Sequence, residues 1–277
     1  MPTPELLELH DLGGGRSTGV LVAAGEQVRF HIRRADGGGK KPLVLCVPIL
    51  AGGDELMENV ASRMRSHGFD VAFCARAGSA LKPPQRGRDL DLLFRRTVLH
   101  QRILLAWLAS GPDAPTATFV LGMSMGGMVA TVVAAEEPDV AGLAVCLSGG
   151  DLGSLVLSSS ERRVRSWSEW RHTTDGVGDD HLRWELREFL DYEPLGFAAA
   201  IPTWKVLFVG ADLDSVVPRR NQDLLWEALG RPARLQVPLG HYSAALAIDT
   251  ILGAAASHFA ALVPDRSQEA WRKLPGS

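Results

Sequence analysis

The stretch Val120–Gly127 reads V-L-G-M-S-M-G-G, with Ser124 between glycines two residues before and two residues after it. A serine on a sharp strand-to-helix turn has strained backbone angles, and side chains at the flanking positions would collide with the neighbouring strand and helix. Glycine removes that collision and leaves the hydroxyl exposed above the sheet. The pattern therefore predicts that Ser124 is a nucleophile presented on such a turn.

The residues on either side of this motif fit the predicted turn. A β-type run, Ala117–Leu121, precedes it, and an apolar run of helical length, Met128–Ala135, follows it and ends before Pro138. A bare G-x-S-x-G pattern is common by chance, so the strand before it and the helix after it are what make the prediction specific.

Outward from this turn, short apolar runs alternate with segments of helical pattern. Strands are expected at Pro42–Val47, Phe69–Cys74, Ala141–Leu147, Thr203–Val209 and Arg234–Val237. Helices are expected at Leu56–His67, Leu90–Leu108, Asn221–Leu229 and Ala244–Leu262. Three further strands are expected within residues 1–35. This alternation predicts the α/β class, with a doubly wound and mostly parallel sheet.

One long insertion interrupts the alternation. About fifty residues, Asp151–Pro202, separate two predicted strands, and a connection of that length usually has helices of its own. We predict a core of residues 1–150 and 203–263, a small helical cap of residues 151–202 and a polar tail of residues 264–277. The alternative is a helical insertion packed to one side. If it is a cap, its apolar side chains are expected to wall the mouth of the site, among them some of Trp167, Trp170 and Trp184.

Composition narrows the class of protein. The 277 residues include 29 basic and 32 acidic side chains, a balance that does not indicate a nucleic-acid or membrane partner. The start of the chain lacks the pattern of a signal peptide, and no run is expected to reach the ~18–20 apolar residues of a membrane span. We expect a cytoplasmic protein whose three cysteines, Cys46, Cys74 and Cys146, are buried free thiols.

A serine nucleophile needs a general base, and the base needs an orienting carboxylate. Four histidines follow Ser124 in the chain: His172, His181, His241 and His258. The first two lie in the insertion and the last lies within the closing helix. His241 lies in a loop between the last predicted strand and that helix, so we predict that it is the base.

Two carboxylates compete for the orienting role in the loop after the Thr203–Val209 strand. Asp214 stands 27 residues before His241, and we predict that it is the acid. Asp212 could instead serve only to fix the turn by accepting backbone N–H groups, which is a common role for aspartate at the end of a strand. Asp249, inside the last helix, is expected at the surface.

The three segments that carry Ser124, Asp214 and His241 resemble, in order and spacing, the α/β-hydrolase superfamily. The chain is most similar there to bacterial serine esterases near the dienelactone-hydrolase-like group, whose Asp-x-x-Val-Pro acid motif matches Asp214–Pro218. Dienelactone hydrolases proper use a cysteine nucleophile, so serine shifts the expectation towards ordinary ester cleavage. Many relatives also have His-Gly after the strand that matches Pro42–Val47, and this chain does not.

An oxyanion hole is required if the protein forms an acyl intermediate. The backbone N–H of Met125, directly after the nucleophile, is one predicted donor. The second is expected from Leu50 or Ile49, because Pro48 has no N–H. The following Gly52-Gly53 pair either lets this loop approach the substrate closely or only makes a tight turn.

Other chemistry is weakly indicated. The sequence contains no CxxC, no HExxH and no histidine pair at metal-binding spacing, so we expect neither a cofactor nor a metal. The run Ser158–Glu161 is typical of a helix start, and an arginine after it either is solvated or meets an acidic substrate group.

The leading hypothesis is a cofactor-independent serine hydrolase acting on a small-molecule carboxylic ester. Thioester cleavage, acyl transfer and non-catalytic binding remain alternatives, and the oligomeric state stays open.

Overall fold

Nine strands form one sheet in the computed structural model, which describes residues 3–49, 54–75 and 77–263. The strands are β1 (Glu5–Gly13), β2 (Arg16–Ala23), β3 (Glu26–Arg33), β4 (Leu43–Val47), β5 (Asp70–Cys74), β6 (Thr118–Met123), β7 (Gly142–Cys146), β8 (Val206–Ala211) and β9 (Ala233–Val237). Their order in the sheet is β1-β2-β3-β5-β4-β6-β7-β8-β9. Strands β1, β2 and β3 are antiparallel, β3 is antiparallel to β5, and the remaining pairs are parallel.

The parallel strands are buried on both faces, which explains their continuous apolar runs. Every residue of β4, β5, β7 and β8 is buried. Successive side chains of a strand point to opposite faces, so Leu43 and Leu45 join one core cluster while Val44 and Cys46 join the other. The predicted doubly wound, mostly parallel sheet is confirmed.

Helices cover the two faces of this sheet. Those outside the 151–202 segment are α1 (Asp54–Ser66), α2 (Gly87–Ser110), α3 (Met125–Glu136), α8 (Arg219–Ala228) and α9 (Ile248–Leu262). Residues of α1 and α9 pack in one core cluster, and residues of α2, α3 and α8 pack in the other. The predicted Thr203–Val209 strand begins later than expected, because residues Thr203–Lys205 form a short 3-10 turn before β8.

The three cysteines lie in the buried strands, as expected. Cys46, Cys74 and Cys146 are free thiols, and burial raises the pKa of each to about 12. A thiol is a nucleophile only as its thiolate, so these groups are inert at neutral pH.

The segment Ser243–Leu262 is, by length and composition, apolar enough to cross a membrane, with a mean hydropathy of 1.5. The expectation that no segment reaches this limit is therefore wrong. Most of the segment is α9, whose Ile251, Ala255 and Phe259 are buried in the core, and Phe259 stacks on Phe119 with 4.6 Å between ring centres. This length and hydropathy also fit a helix that covers one face of the sheet.

Four helices occupy the 151–202 segment. They are α4 (Leu152–Ser158), α5 (Arg162–Asp175), α6 (Asp179–Phe189) and α7 (Leu195–Ala198). Leu182 and Leu186 of α6 and Leu190 at its C-cap lie four residues apart on one face and pack inwards. Residues 264–277, predicted as a polar tail, lie outside the described residues.

The buried Glu185 carboxylate links this segment to α2. Glu185 of α6 accepts a hydrogen bond from the Arg171 guanidinium at 2.6 Å through Oε2. Its Oε1 accepts the backbone N–H of Gly87, the first residue of α2, at 2.6 Å. The Glu185 carboxylate thus joins α5, α6 and the start of α2.

Glu185→Ala is expected to lower the free energy of unfolding by about 3 kcal/mol, because it leaves a buried guanidinium and a buried N–H without this partner. Urea denaturation followed by circular dichroism measures the change. The control is Glu188→Ala on the exposed face of the same helix, which should stay within about 0.5 kcal/mol of the wild type. Equal effects of the two substitutions would contradict a structural role for the Glu185 pair.

Candidate active site

Ser124 lies on the turn between β6 and α3. Its φ of +53° and ψ of −128° are strained for a residue with a side chain, and its N–H bonds the Cys146 carbonyl at 2.9 Å. A Cβ at position 122 would overlap the Gly126 carbonyl, and a Cβ at position 126 would overlap the Val47 carbonyl at the end of β4. The steric reason predicted for the two glycines is confirmed.

The structure brings the three predicted catalytic side chains together. The Nε2 of His241 lies 3.0 Å from the Ser124 Oγ, and its Nδ1 lies 2.7 Å from the Asp214 Oδ2. Asp214 is buried and His241 is partly buried. Both contacts are within hydrogen-bonding distance and run in series from carboxylate to imidazole to hydroxyl. This arrangement can take a proton from the serine and stabilise the resulting imidazolium.

Backbone hydrogen bonds hold the Asp214 carboxylate in this position. Its Oδ1 accepts the N–H groups of Val216 and Val217, both at 2.8 Å. The other oxygen is therefore directed at His241. By contrast, Asp212 is exposed and bonds the Arg219 guanidinium at 2.5 Å. The expected contact between Asp214 and the histidine is present, and Asp212 does not make it.

Two short backbone links join the loop that carries Asp214 to the loop that carries His241. The N–H of Asp212 bonds the Val237 carbonyl at 2.9 Å, and the N–H of Leu213 bonds the Leu239 carbonyl at 3.0 Å. These bonds continue the pairing of β8 with β9 beyond the strand ends. The spacing between acid and base is thus fixed by the register of the sheet.

The remaining downstream histidines have other partners. His172 pairs with Asp179 at 3.1 Å and His181 approaches Glu185 at 3.7 Å, both within the helical segment. His258 lies 3.0 Å from the Lys205 carbonyl. Among the three described stretches of chain, no group of His, Cys, Asp and Glu side chains is arranged to hold a metal ion.

An apolar cavity of about 90 Å³ opens above Ser124. Its walls come from α2, from the loops beside the catalytic side chains and from α4, α5 and α6 of the helical segment. The apolar lining residues are Ile49, Ala80, Leu81, Leu90, Phe94, Met125, Met128, Leu152, Leu155, Val156, Val164, Leu186, Leu190, Val216 and Val217. The polar lining residues are Ser124, Ser159, Glu161, His241 and Tyr242.

The expectation that tryptophans wall this cavity is wrong. Trp167 is 1% exposed and donates its indole N–H to the Gln85 carbonyl at 2.8 Å, so it packs against the scaffold. Trp170 lies beside the Arg86 guanidinium, and Trp184 is 53% exposed on the outside of α6. The helical segment contributes leucines and valines to the cavity instead. An indole buried with a hydrogen-bond partner serves packing rather than substrate contact.

Two of the three predicted oxyanion donors, Met125 and Ile49, lie beside the cavity. Met125 is the first residue of α3, where backbone N–H groups have no partner within the helix, and it lines the cavity. Ile49 lines the same cavity. Leu50, the other candidate, and the glycine pair at 52 and 53 lie outside the described residues.

Glu193 holds the start of α4, which forms one wall of the cavity. Its Oε1 accepts the Asp151 N–H at 2.8 Å and its Oε2 accepts the Leu195 N–H at 2.9 Å. Burial raises the pKa of this carboxyl from 4.5 to about 7. A carboxyl whose pKa is raised by folding stabilises the native state below its unfolded pKa, and that stability is lost as the pH rises through the folded pKa.

The wild type should therefore lose about 2 kcal/mol of unfolding free energy relative to Glu193→Gln between pH 5 and pH 7.5. The glutamine is neutral throughout, so the variant lacks this titration whatever its absolute stability. Urea denaturation of both proteins across this range gives the difference. A difference that is constant with pH would contradict the raised pKa.

A comparison of the sequence with protein-family models and with curated proteins gave no match. Solved structures do match. A 2,6-dihydroxy-pseudo-oxynicotine hydrolase is 17% identical with a TM-score of 0.68, covering 89% of this chain and 68% of that protein. Acetyl xylan esterase 1 from a Thermoanaerobacterium species is 18% identical with a TM-score of 0.64, covering 91% and 88%. An enol-lactonase from Burkholderia xenovorans is 14% identical with a TM-score of 0.56, covering 84% and 97%.

These likenesses span most of each chain, and they show the fold. The mostly parallel sheet with flanking helices is that of the α/β-hydrolases, as the resemblance in the sequence implies.

Proposed function

We propose that this protein of α/β-hydrolase fold is a cofactor-independent serine hydrolase that cleaves a carboxylic ester through an acyl-enzyme. The observation that carries the proposal is the hydrogen-bonded series from Asp214 through His241 to Ser124 at the floor of an apolar cavity. A buried carboxylate, an imidazole and a strained serine in this order are the parts that nucleophilic acyl transfer requires.

In the first half of the reaction, the Ser124 Oγ attacks the ester carbonyl carbon while the His241 Nε2 takes the hydroxyl proton. The tetrahedral intermediate then collapses, the carbon–oxygen bond to the alcohol breaks, and the imidazolium returns the proton to the leaving alcohol. Asp214 holds the imidazole by Nδ1 and stabilises its positive charge. In the second half, His241 takes a proton from a water molecule while the water oxygen attacks the acyl carbon. The bond to the Ser124 Oγ then breaks, the imidazolium returns the proton to that oxygen, and the carboxylic acid leaves.

The negative oxygen of the tetrahedral intermediate requires donors close to Ser124. We assign this role to the backbone N–H of Met125 and to a second N–H from the loop after β4, at Ile49 or Leu50. The contact of Gly126 with the end of β4 supports the assignment, because it brings that loop against the N-terminus of α3. Loss of one such donor typically lowers turnover by about 10²–10³-fold.

The composition of the cavity indicates the part of the substrate that it takes. Most of its lining is aliphatic, with Phe94 as the one aromatic hydrocarbon ring among the described residues, and its volume is small. We infer that the cavity accepts a short apolar group of a small-molecule ester and excludes water from it. In this proposal the helical segment, residues 151–202, acts as a cap.

Hydrolysis of p-nitrophenyl esters of increasing acyl length, with fluorophosphonate labelling followed by peptide mass spectrometry, tests the proposal. We expect turnover of the short esters and a label on Ser124. A folded protein that neither hydrolyses any of these esters nor takes the label would refute the catalytic proposal and favour a binding protein.

A further inference from the structure

One charged side chain stands in the wall of the apolar cavity. Glu161 lines it together with Ser124, His241 and Tyr242, and within the described parts of the chain it is the only carboxylate that does so. The same lining contains no lysine and no arginine among those residues. An isolated carboxylate in an apolar wall gives the cavity a negative potential at that point.

The position of Glu161 is fixed from two sides. It is the N-cap of α5, and its Oε2 accepts the Val164 N–H at 2.8 Å. Next to it, Ser160 bonds Ser215 in the loop of the catalytic acid, through its N–H to the carbonyl at 2.8 Å and through the two hydroxyls at 2.7 Å. The carboxylate is thus held at a constant place relative to the catalytic residues.

The charge of Glu161 is not neutralised by a partner in the described chain. No ion pair there includes it, and one N–H uses a small part of the acceptor capacity of a carboxylate. Arg162 and Arg165, which follow it, are exposed and line a separate groove outside the cavity. Partial burial and the negative charge of Glu161 raise the pKa of Tyr242, the residue after the catalytic histidine.

We propose that Glu161 determines specificity by selecting esters that carry a protonated amine or quaternary ammonium group and by disfavouring esters that carry a carboxylate. The inference rests on the proposed ester hydrolysis and adds the charge class of the substrate. A cation in the cavity meets the carboxylate and the ring of Tyr242, and both attract positive charge. An anion meets the same carboxylate without a compensating cation, and the repulsion between the two negative charges disfavours its binding. The proposed substrate is therefore positively charged, whereas an arginine of this region, the candidate considered from the sequence, would bind a negatively charged group.

Matched esters separate charge from size. In the first pair, the p-nitrophenyl ester of 4-(trimethylammonio)butanoic acid is compared with that of 5,5-dimethylhexanoic acid, in which carbon replaces the nitrogen. In the second pair, butyrylcholine is compared with 3,3-dimethylbutyl butyrate, so that the cation lies on the alcohol side. The mono-p-nitrophenyl ester of glutaric acid supplies the anion. The measured quantity is the ratio of kcat/KM between charged and neutral esters, which is independent of the folded fraction of a preparation.

The wild type is expected to prefer the cationic member of at least one pair by about tenfold, and the anionic ester should be the poorest substrate. Glu161→Gln, whose side-chain oxygen can still accept the Val164 N–H, should reduce that preference to near unity. Glu169→Gln is the matched control, because it removes the same charge from the exposed face of the same helix. It should leave the ratios at their wild-type values.

The outcomes distinguish failure of the proposed role of Glu161 from failure of the proposed hydrolase function. Hydrolysis of the neutral esters without a cation preference in either pair, or a preference that survives in Glu161→Gln, overturns the role of Glu161 and leaves the proposed hydrolase standing. Absence of both hydrolysis and Ser124 labelling removes the proposed function, and the inference with it. A preference that Glu169→Gln reduces as much as Glu161→Gln would indicate the overall charge of the surface and would also overturn the inference.

Discussion

Ser124→Ala is expected to lower ester hydrolysis by about 10⁴–10⁶-fold, because the oxygen that attacks the carbonyl is removed. The fold should persist. The side chain lies on a turn and not in the core, the backbone N–H still bonds the Cys146 carbonyl, and alanine keeps the same Cβ, so the strain at the positive φ is unchanged. Steady-state kinetics with p-nitrophenyl acetate, and thermal unfolding of the same preparation, measure the two effects.

The matched control for this substitution is Ser158→Ala. Ser158 is exposed at the end of α4, and its hydroxyl bonds only carbonyls of its own helix among the described contacts. Its loss should change turnover by less than about twofold. If well-folded Ser124→Ala kept a large fraction of the activity that the control keeps, another residue would have to be the nucleophile.

Asp214→Asn is expected to lower kcat by about 10⁴-fold with little change in the structure. The reason lies in how the carboxylate is held. The N–H groups of Val216 and Val217 require an oxygen at the Oδ1 position, so the asparagine amide is forced to present its NH₂ to His241. The imidazole must then accept at Nδ1 and carry its proton on Nε2, where it cannot take a proton from Ser124.

Asp212→Asn provides the comparison. It makes the same chemical change two residues earlier, at an exposed side chain that bonds Arg219 and not the histidine. Turnover should stay within about twofold of the wild type. Equal losses at the two positions would show that the loop as a whole, and not the Asp214 contact with His241, matters for the reaction.

The site was predictable from the sequence where short-range chemistry determines it. The glycines on either side of Ser124 predict a turn, because a side chain at either position would overlap backbone atoms. This constraint can be recognised in a sequence of only five residues. His241 and Asp214 were predictable because each follows an apolar strand, and the ends of parallel strands converge at one edge of the sheet. The buried parallel strands were predictable as well, because helices cover both of their faces and the strands are therefore continuous apolar runs.

The cavity walls were not predictable in this way. Leu90 and Phe94 lie on α2, and they line the same cavity as Leu155 and Leu186 only because the helical segment folds back over that helix. Such contacts depend on packing between distant parts of the chain. The tryptophans of the segment were misassigned for a related reason. Their size suggested a cleft, whereas the indole of Trp167 is placed by its hydrogen bond to the Gln85 carbonyl.

The Glu185 carboxylate, which joins α5, α6 and the start of α2, also bears on how small molecules reach the cavity. Separating the helical segment from the core would break the hydrogen bond from the Gly87 N–H to Glu185 and the one from the Trp167 indole to the Gln85 carbonyl, at a cost of about 2–4 kcal/mol. In the proposed reaction, we therefore expect substrate to enter and product to leave past Tyr242, which lines the cavity and is 69% exposed, without a hinged opening of the helices. A gate of fixed width limits substrates by their cross-section, so esters of groups wider than trimethylammonio or tert-butyl are expected to be poor substrates whatever their length.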